Sequence, residues 1–251
     1  YSFRKWIIHG VLKRIESLSI QKLDSTIVCS NYLREKIIEN YKVSSKKVLK
    51  LYKGVSIEDH TFRAPSSHID QLIKILFVKS NYIRGGLFNL IQALASLTQF
   101  SFEVSVIGEF GKNAAKIRDF FKLYPTVELA KLGPEPQEEV FRLMHTQDIL
   151  CIPSIREGLG VANIEGLASG IPVVTTNVGG IPEVMDYGRN GWLAEPNDIK
   201  SLARAIEDCI TQPEERKRRS KAGRLFVEQN FTSEKMIAGL LNIFEELLTG
   251  K

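Results

Sequence analysis

The chain has 251 residues, 43% hydrophobic and 25% charged, the balance of a soluble globular protein large enough to build one or two ordinary cores without disulfides or zinc. Its three cysteines, Cys29, Cys151 and Cys209, are too few and too scattered for a disulfide frame, no CxxC or HExxH pattern is present, and no apolar run approaches the ~18 residues that cross a bilayer. The net charge of +5 is uneven: residues 1–60 hold 12 Lys and Arg against 6 Asp and Glu, and the remainder is near neutral.

In chain order, "FRKWIIHGVLKRIESL" (3–18) reads as a basic amphipathic helix with Trp6, Ile7, Val11 and Ile15 on its apolar side. "STIVCS" is a strand, with Ser30 or Asn31 as cap of a helix over 31–40, and "KKVLKLYKG" is another strand. The polar stretch 60–70 reads as a linker. Strands and helices then alternate: strand 72–78, helix 87–97, strand 101–108, helix 113–124, strand 127–133, helix 137–146, strand 148–154, helix 161–169, strand 171–176, a short helix in "IPEVM", strand 191–195 and helix 198–210. The basic run "EERKRRSKAGR" (214–224) reads as a solvated helix face, and His9, His60, His68 and His145 as surface or boundary residues.

Short continuous apolar strands between helices imply a parallel sheet covered on both faces, a doubly wound α/β domain. Such sheets bind ligands beyond the carboxyl ends of their strands, where the strand order reverses. The loops after Val78, Ile107, Ile152 and Thr176 are therefore the places to look. The first 60 residues form only a βαβ fragment, too small to close a core, and the chain opens at Tyr1 inside a helix, so upstream residues are expected. The expected organisation is 1–62, the C-terminal part of an incomplete α/β domain; 63–230, a Rossmann-like domain; and 231–251, a closing helix.

The stretch "REGLGVANIEGLASGIPVVTTNVGG" (156–180) carries the chemistry. Glu157 lies in a strand-to-helix loop, and Glu165 about one turn inside the helix that follows. Between them Gly158, Leu159 and Gly160 form a turn that leaves amides uncovered at the helix start beside Val161, a place for phosphate. Carboxylates beside a phosphate site suit hydroxyls, whose hydrogens they accept. Hydroxyls on both sides of a phosphate describe a nucleotide-sugar.

With "EGLASGIPVV" and "GGIPE" at these spacings, the E-x7-E pattern of Glu157 and Glu165 resembles the retaining glycosyltransferases of family four, of GT-B fold. "GVSIEDHTF" and "FTSEKM" also look like that family's domain junction and the start of its closing helix. The resemblance covers about residues 25–250. It implies that Glu157 holds donor-sugar hydroxyls, Glu165 the ribose, the amides of Gly160 and Val161 the diphosphate, and the backbone near Leu132 and Gly133 the base. It further implies transfer with retention of anomeric configuration, to a glycan or lipid-linked acceptor, without metal or other cofactor. After the first strand the family often carries an arginine and a lysine; here the text is "FVKSNYIRGG", with Ser80 at the arginine's place and Gly85 near the lysine's. Lys79 or Arg84 is left to supply the charge, so the candidate catalytic residues are Glu157, Arg84 and Lys79.

Two other readings stand beside transfer: a nucleotide-sugar epimerase of the same architecture, and a non-catalytic sugar-nucleotide-binding module. An NAD-dependent enzyme is disfavoured because no GxGxxG follows a strand, and a nucleic-acid binder because the second part is near neutral without an aromatic-basic array. The reduced-cysteine pattern points to the cytoplasm. The basic excess in 1–60 points either to peripheral contact with an anionic inner membrane face or to a solvated helix face.

Overall fold

A computed structural model describes residues 3–249, with side chains described at residue 8 and from residue 10 onward. The chain divides into two compact units, Tyr1–Tyr52 and Lys53–Lys251.

In the first unit α1 (Phe3–Lys22) is followed by β1 (Thr26–Val28), α2 (Asn31–Tyr41) and β2 (Val48–Lys50). The two strands pair in parallel, Thr26 opposite Val48 and Val28 opposite Lys50. Ser30, not Asn31, caps α2: its hydroxyl accepts from the Leu33 amide. Arg34 then reaches from α2 to the Val48 carbonyl at 2.8 Å, tying helix to strand. Val11 and Ile15 are exposed on α1, while Trp6 and Ile7 lie outside the residues whose side chains are described.

The second unit holds β3 (Leu72–Val78), α3 (Leu87–Ser96), β4 (Ser101–Ile107), α4 (Ala114–Lys122), β5 (Val127–Gly133), α5 (Gln137–Thr146), β6 (Ile149–Ile152), α6 (Val161–Ser169), β7 (Val173–Thr176), α7 (Ile181–Val184), β8 (Trp192–Ala194), α8 (Ile199–Thr211), α9 (Pro213–Asn230) and α10 (Ser233–Thr249). All six strands are parallel, in the order β5-β4-β3-β6-β7-β8. β6 is buried at every position and β3 at Ile73, Ile75, Leu76 and Phe77, because helices cover both faces and continuous apolar strands satisfy both sides at once. The domain's first strand, β3, lies beside its fourth, β6. The crossovers from these neighbours run to opposite sides, so the loops after Val78 and Ile152 flank the point of strand reversal where sheets of this kind bind ligands.

The basic run 214–224 departs from expectation. It lies in α9, but only part of it is solvated. Arg216 is 1% exposed; it donates to the Cys209, Ile210, Ser66 and Ser67 carbonyls. Arg219 stacks over Trp192 with its guanidinium carbon 4.6 Å from the ring centroid, and donates to the Gly191 carbonyl. The inward face runs Arg216, Ser220, Gly223, Val227, at helical spacing but with one apolar member, which is why hydrophobic periodicity alone missed it.

His60 is also no surface residue. It is 2% exposed, packs against Phe141 in a tilted contact with 4.2 Å between ring centroids, and shares a 3.0 Å hydrogen bond with the Ser169 hydroxyl. Burial lowers its pKa to about 4, with Arg224 and His145 adding to the effect and Asp59 opposing it. A histidine whose folded pKa lies below its unfolded value favours folding when neutral. Its contribution is full above about pH 6.5 and is lost as pH falls toward 4. We expect His60→Gln to flatten this part of the stability–pH curve, so that wild type and variant, compared by denaturant unfolding, converge by roughly 2–3 kcal/mol between pH 7 and pH 4. A constant difference would contradict the burial argument.

Candidate functional site

Glu157 stands in the loop between β6 and α6. That loop is fastened from both sides. On one side the Ile155 amide donates to the Arg84 carbonyl at 2.7 Å, joining it to the loop after β3. On the other, the hydroxyls of Thr175 and Thr176 donate to the Ile152 and Ser154 carbonyls at 2.8 and 2.6 Å. Gly179, at φ +63, lies so close that a Cβ there would collide with the Glu157 carbonyl oxygen. The carboxylate-bearing loop is thus held from the ends of β3 and β7, by backbone and hydroxyl contacts.

Gly160 opens α6 in a left-handed conformation, φ +94, and its carbonyl accepts from the Asn163 and Ile164 amides. The amides of Gly160, Val161 and Ala162 have no acceptor among the described residues. These uncovered donors at the positive end of α6 are a place for an anion. The Glu157 side chain lies alongside: its Cγ is 3.6 Å from where a Cβ of Gly160 would stand. Gly158 donates its amide to Glu157 Oε1 at 3.0 Å, and Leu159 is buried beneath the turn.

Lys79, the first residue beyond β3, forms an ion pair with Glu157 Oε2 that joins the loops after β3 and β6, and its ammonium lies 3.4 Å from the Ser154 hydroxyl. Both charged side chains are about four-fifths covered, at 22% and 20% exposure. Gly85 is buried against the stem of this lysine, and a Cβ at 85 would stand 2.9 Å from Lys79 Cδ and 2.7 Å from Phe77 Cζ. Lys79 therefore occupies the space that a side chain at 85 would need.

Glu165 is half-buried, and its carboxylate has no hydrogen bond or ion pair among the described residues. Desolvation raises its pKa to about 7. A carboxylate kept partly dry without a partner is costly to the fold, and such groups concentrate at functional sites.

The other sequence candidates are placed less centrally. Arg84 is exposed and makes no side-chain bond among the described residues; its backbone does the work described above. The Ser80 hydroxyl accepts from the Glu109 amide at 3.1 Å, joining the loops after β3 and β4. Leu132 and Gly133 end β5, and the Gly133 carbonyl accepts from the Gly108 amide at 3.0 Å. Sequence reasoning missed Ser154 and Asn163. Asn163 is 2% exposed, its amide nitrogen is 3.4 Å from the Thr175 hydroxyl, and its side-chain oxygen is a buried acceptor without a donor among the described residues. A buried asparagine inside a helix, where it is a poor former, was the available signal. Among the described residues no group of three or more His, Cys, Asp or Glu is placed to hold a metal ion, and no helix is long and apolar enough to cross a membrane.

A family model described as "Glycosyl transferases group 1" matches residues 58–226. An uncharacterised glycosyltransferase of Methanocaldococcus jannaschii is 31% identical over 230 residues, 89% of this chain and 60% of that protein. A capsular polysaccharide biosynthesis glycosyltransferase of Staphylococcus aureus is 27% identical over 240 residues, covering 89% and 62%. The solved Anabaena protein HepE, in complex with UDP-glucose, superposes with a TM-score of 0.80 at 19% identity, covering 93% of this chain and 67% of that one. The structural neighbours are GT-B glycosyltransferases. The chain spans less than two thirds of the length of each of these two curated relatives. By the extent of the family match and the identity to its relatives, this chain belongs to the group 1 glycosyl transferases.

Proposed function

We propose that the second unit binds a nucleotide-sugar between the loops after β3 and β6, and that the whole protein transfers its sugar to a glycan or lipid-linked acceptor with retention of configuration. The observation that carries the reading is the trio of unbonded amides at Gly160, Val161 and Ala162, flanked by Glu157 and Glu165. The diphosphate sits on the amides, which face it with partial positive charge. Glu165 accepts from ribose hydroxyls and Glu157 from those of the sugar, while backbone near Leu132 and Gly133 meets the base. As the bond to the leaving phosphate breaks, negative charge grows on the diphosphate. Fixed amides and the cations Lys79 and Arg84 stabilise that charge without rearrangement. No metal is assigned to this task. Relatives named for polysaccharide biosynthesis and a neighbour holding UDP-glucose support the substrate class.

Calorimetric titration of the 251-residue chain with uridine diphosphate and UDP-glucose tests the reading. Saturable binding is expected, tightening from pH 6 to pH 8 as Glu165, at about 7, loses its proton and becomes a pure acceptor. Absence of binding by these and by the other common nucleoside diphosphates would overturn it. Turnover is expected of a protein that has a complete acceptor-side domain, because positioning the acceptor and excluding water supply much of the rate.

A further inference from the structure

Lys79 pairs with Glu157, and the Glu157 side chain lies beside the amide turn at Gly160, where an anion would sit. An ammonium held on Glu157 is therefore within one side-chain swing of any anion seated on that turn, and its four-carbon stem permits the swing. Glu157 and a diphosphate would otherwise repel each other at close quarters in a partly dry site, where charge interactions are stronger than in water.

We propose that Lys79 serves these two anions in turn: a bound diphosphate draws its ammonium away from Glu157, and the released carboxylate then accepts the hydroxyls of the donor sugar. The inference rests on the donor-site reading above and adds an order of events to it. Diphosphate binding unmasks the sugar-recognising carboxylate, so nucleotide and sugar recognition are coupled through one lysine. Ser154, 3.4 Å from the ammonium and 1% exposed, is a buried polar neighbour of that ammonium.

The exchange predicts a specific non-additivity. If Lys79 gives up Glu157 on binding, Glu157→Gln removes both the repulsion and the competing partner. If Lys79 does not serve the diphosphate, the substitution removes only the repulsion, whether or not the lysine is present. Uridine diphosphate affinities are measured for wild type, Glu157→Gln, Lys79→Met and the double variant, with thermal melts to confirm folding and Lys79→Gln as substitute should Lys79→Met not fold. Glu157→Gln should tighten binding about tenfold when Lys79 is present and only about twofold when it is not, the difference being the ion pair surrendered. Lys79→Met alone should weaken binding. Equal gains in both backgrounds, or a loss on Glu157→Gln, would overturn the exchange while leaving the donor site intact. Failure of the wild type to bind any nucleoside diphosphate would overturn both.

Discussion

Glu165→Gln should make the protein more stable and a worse nucleotide binder at once. Desolvation raises the carboxyl pKa from the usual 4.5 to about 7. Between those values the folded chain holds a proton that the unfolded chain has released. The carboxyl's contribution is therefore fully present below about pH 4.5 and is lost as pH rises through 7. At pH 8 the fold carries the whole cost of an ionised, half-buried group with no partner, and glutamine removes it. We expect a gain of about 1–3 kcal/mol at pH 8 that vanishes near pH 4.5, discounted from the full shift because the side chain is partly exposed. The same substitution should weaken uridine diphosphate binding by about 1–3 kcal/mol, since a charge-assisted acceptor for the ribose is lost. Unfolding curves at the two pH values, with calorimetry at pH 8, decide it. Unchanged stability together with unchanged affinity would show that Glu165 is an ordinary surface carboxylate.

Gly179→Ala should disable the site from a distance in sequence of more than twenty residues. Residue 179 has φ +63, a conformation costing an L-residue about 1–2 kcal/mol. The added methyl would also strike the Glu157 carbonyl oxygen, a backbone atom that cannot turn aside. The loop must shift, and it carries both the carboxylate and the turn into α6. We expect a total destabilisation of about 2–4 kcal/mol and uridine diphosphate affinity reduced at least about tenfold, since donors displaced by even an ångström lose their alignment. A comparable change at Gly111, also at positive φ (+49) but with open space around its Cβ position, should carry the conformational cost without the affinity loss. Equal affinity loss at both positions would contradict the close-contact account.

These expectations trace back unevenly to sequence. The strand β6 and the inner half of β3 were readable because a parallel sheet buried on both faces demands unbroken apolar runs such as "ILCI" and "ILFV", and few other structures tolerate them. The positions of Glu157 and Glu165 in a loop and in the helix it opens were readable because glycines mark the turn between them. The Lys79–Glu157 pair was not. It joins residues 78 apart in sequence, and adjacency of β3 and β6 is a property of strand order, which no local pattern records. The inward arginines of α9 escaped for another reason: hydropathy counts arginine as polar, whereas Arg216 caps the carbonyls that end α8 and so belongs inside. His60 escaped likewise, because its burial follows from packing against α5 and α6 (Phe141 and Ser169) and not from its neighbours in sequence.

The most direct test of the donor site is a crystal structure of this chain with uridine diphosphate bound. The account places the diphosphate within hydrogen-bonding distance of the amides of Gly160 and Val161, with the ribose hydroxyls on Glu165 and the Lys79 ammonium turned from Glu157 toward a phosphate oxygen. A diphosphate seated elsewhere on the molecule, with the amides at the start of α6 facing only solvent, would contradict it.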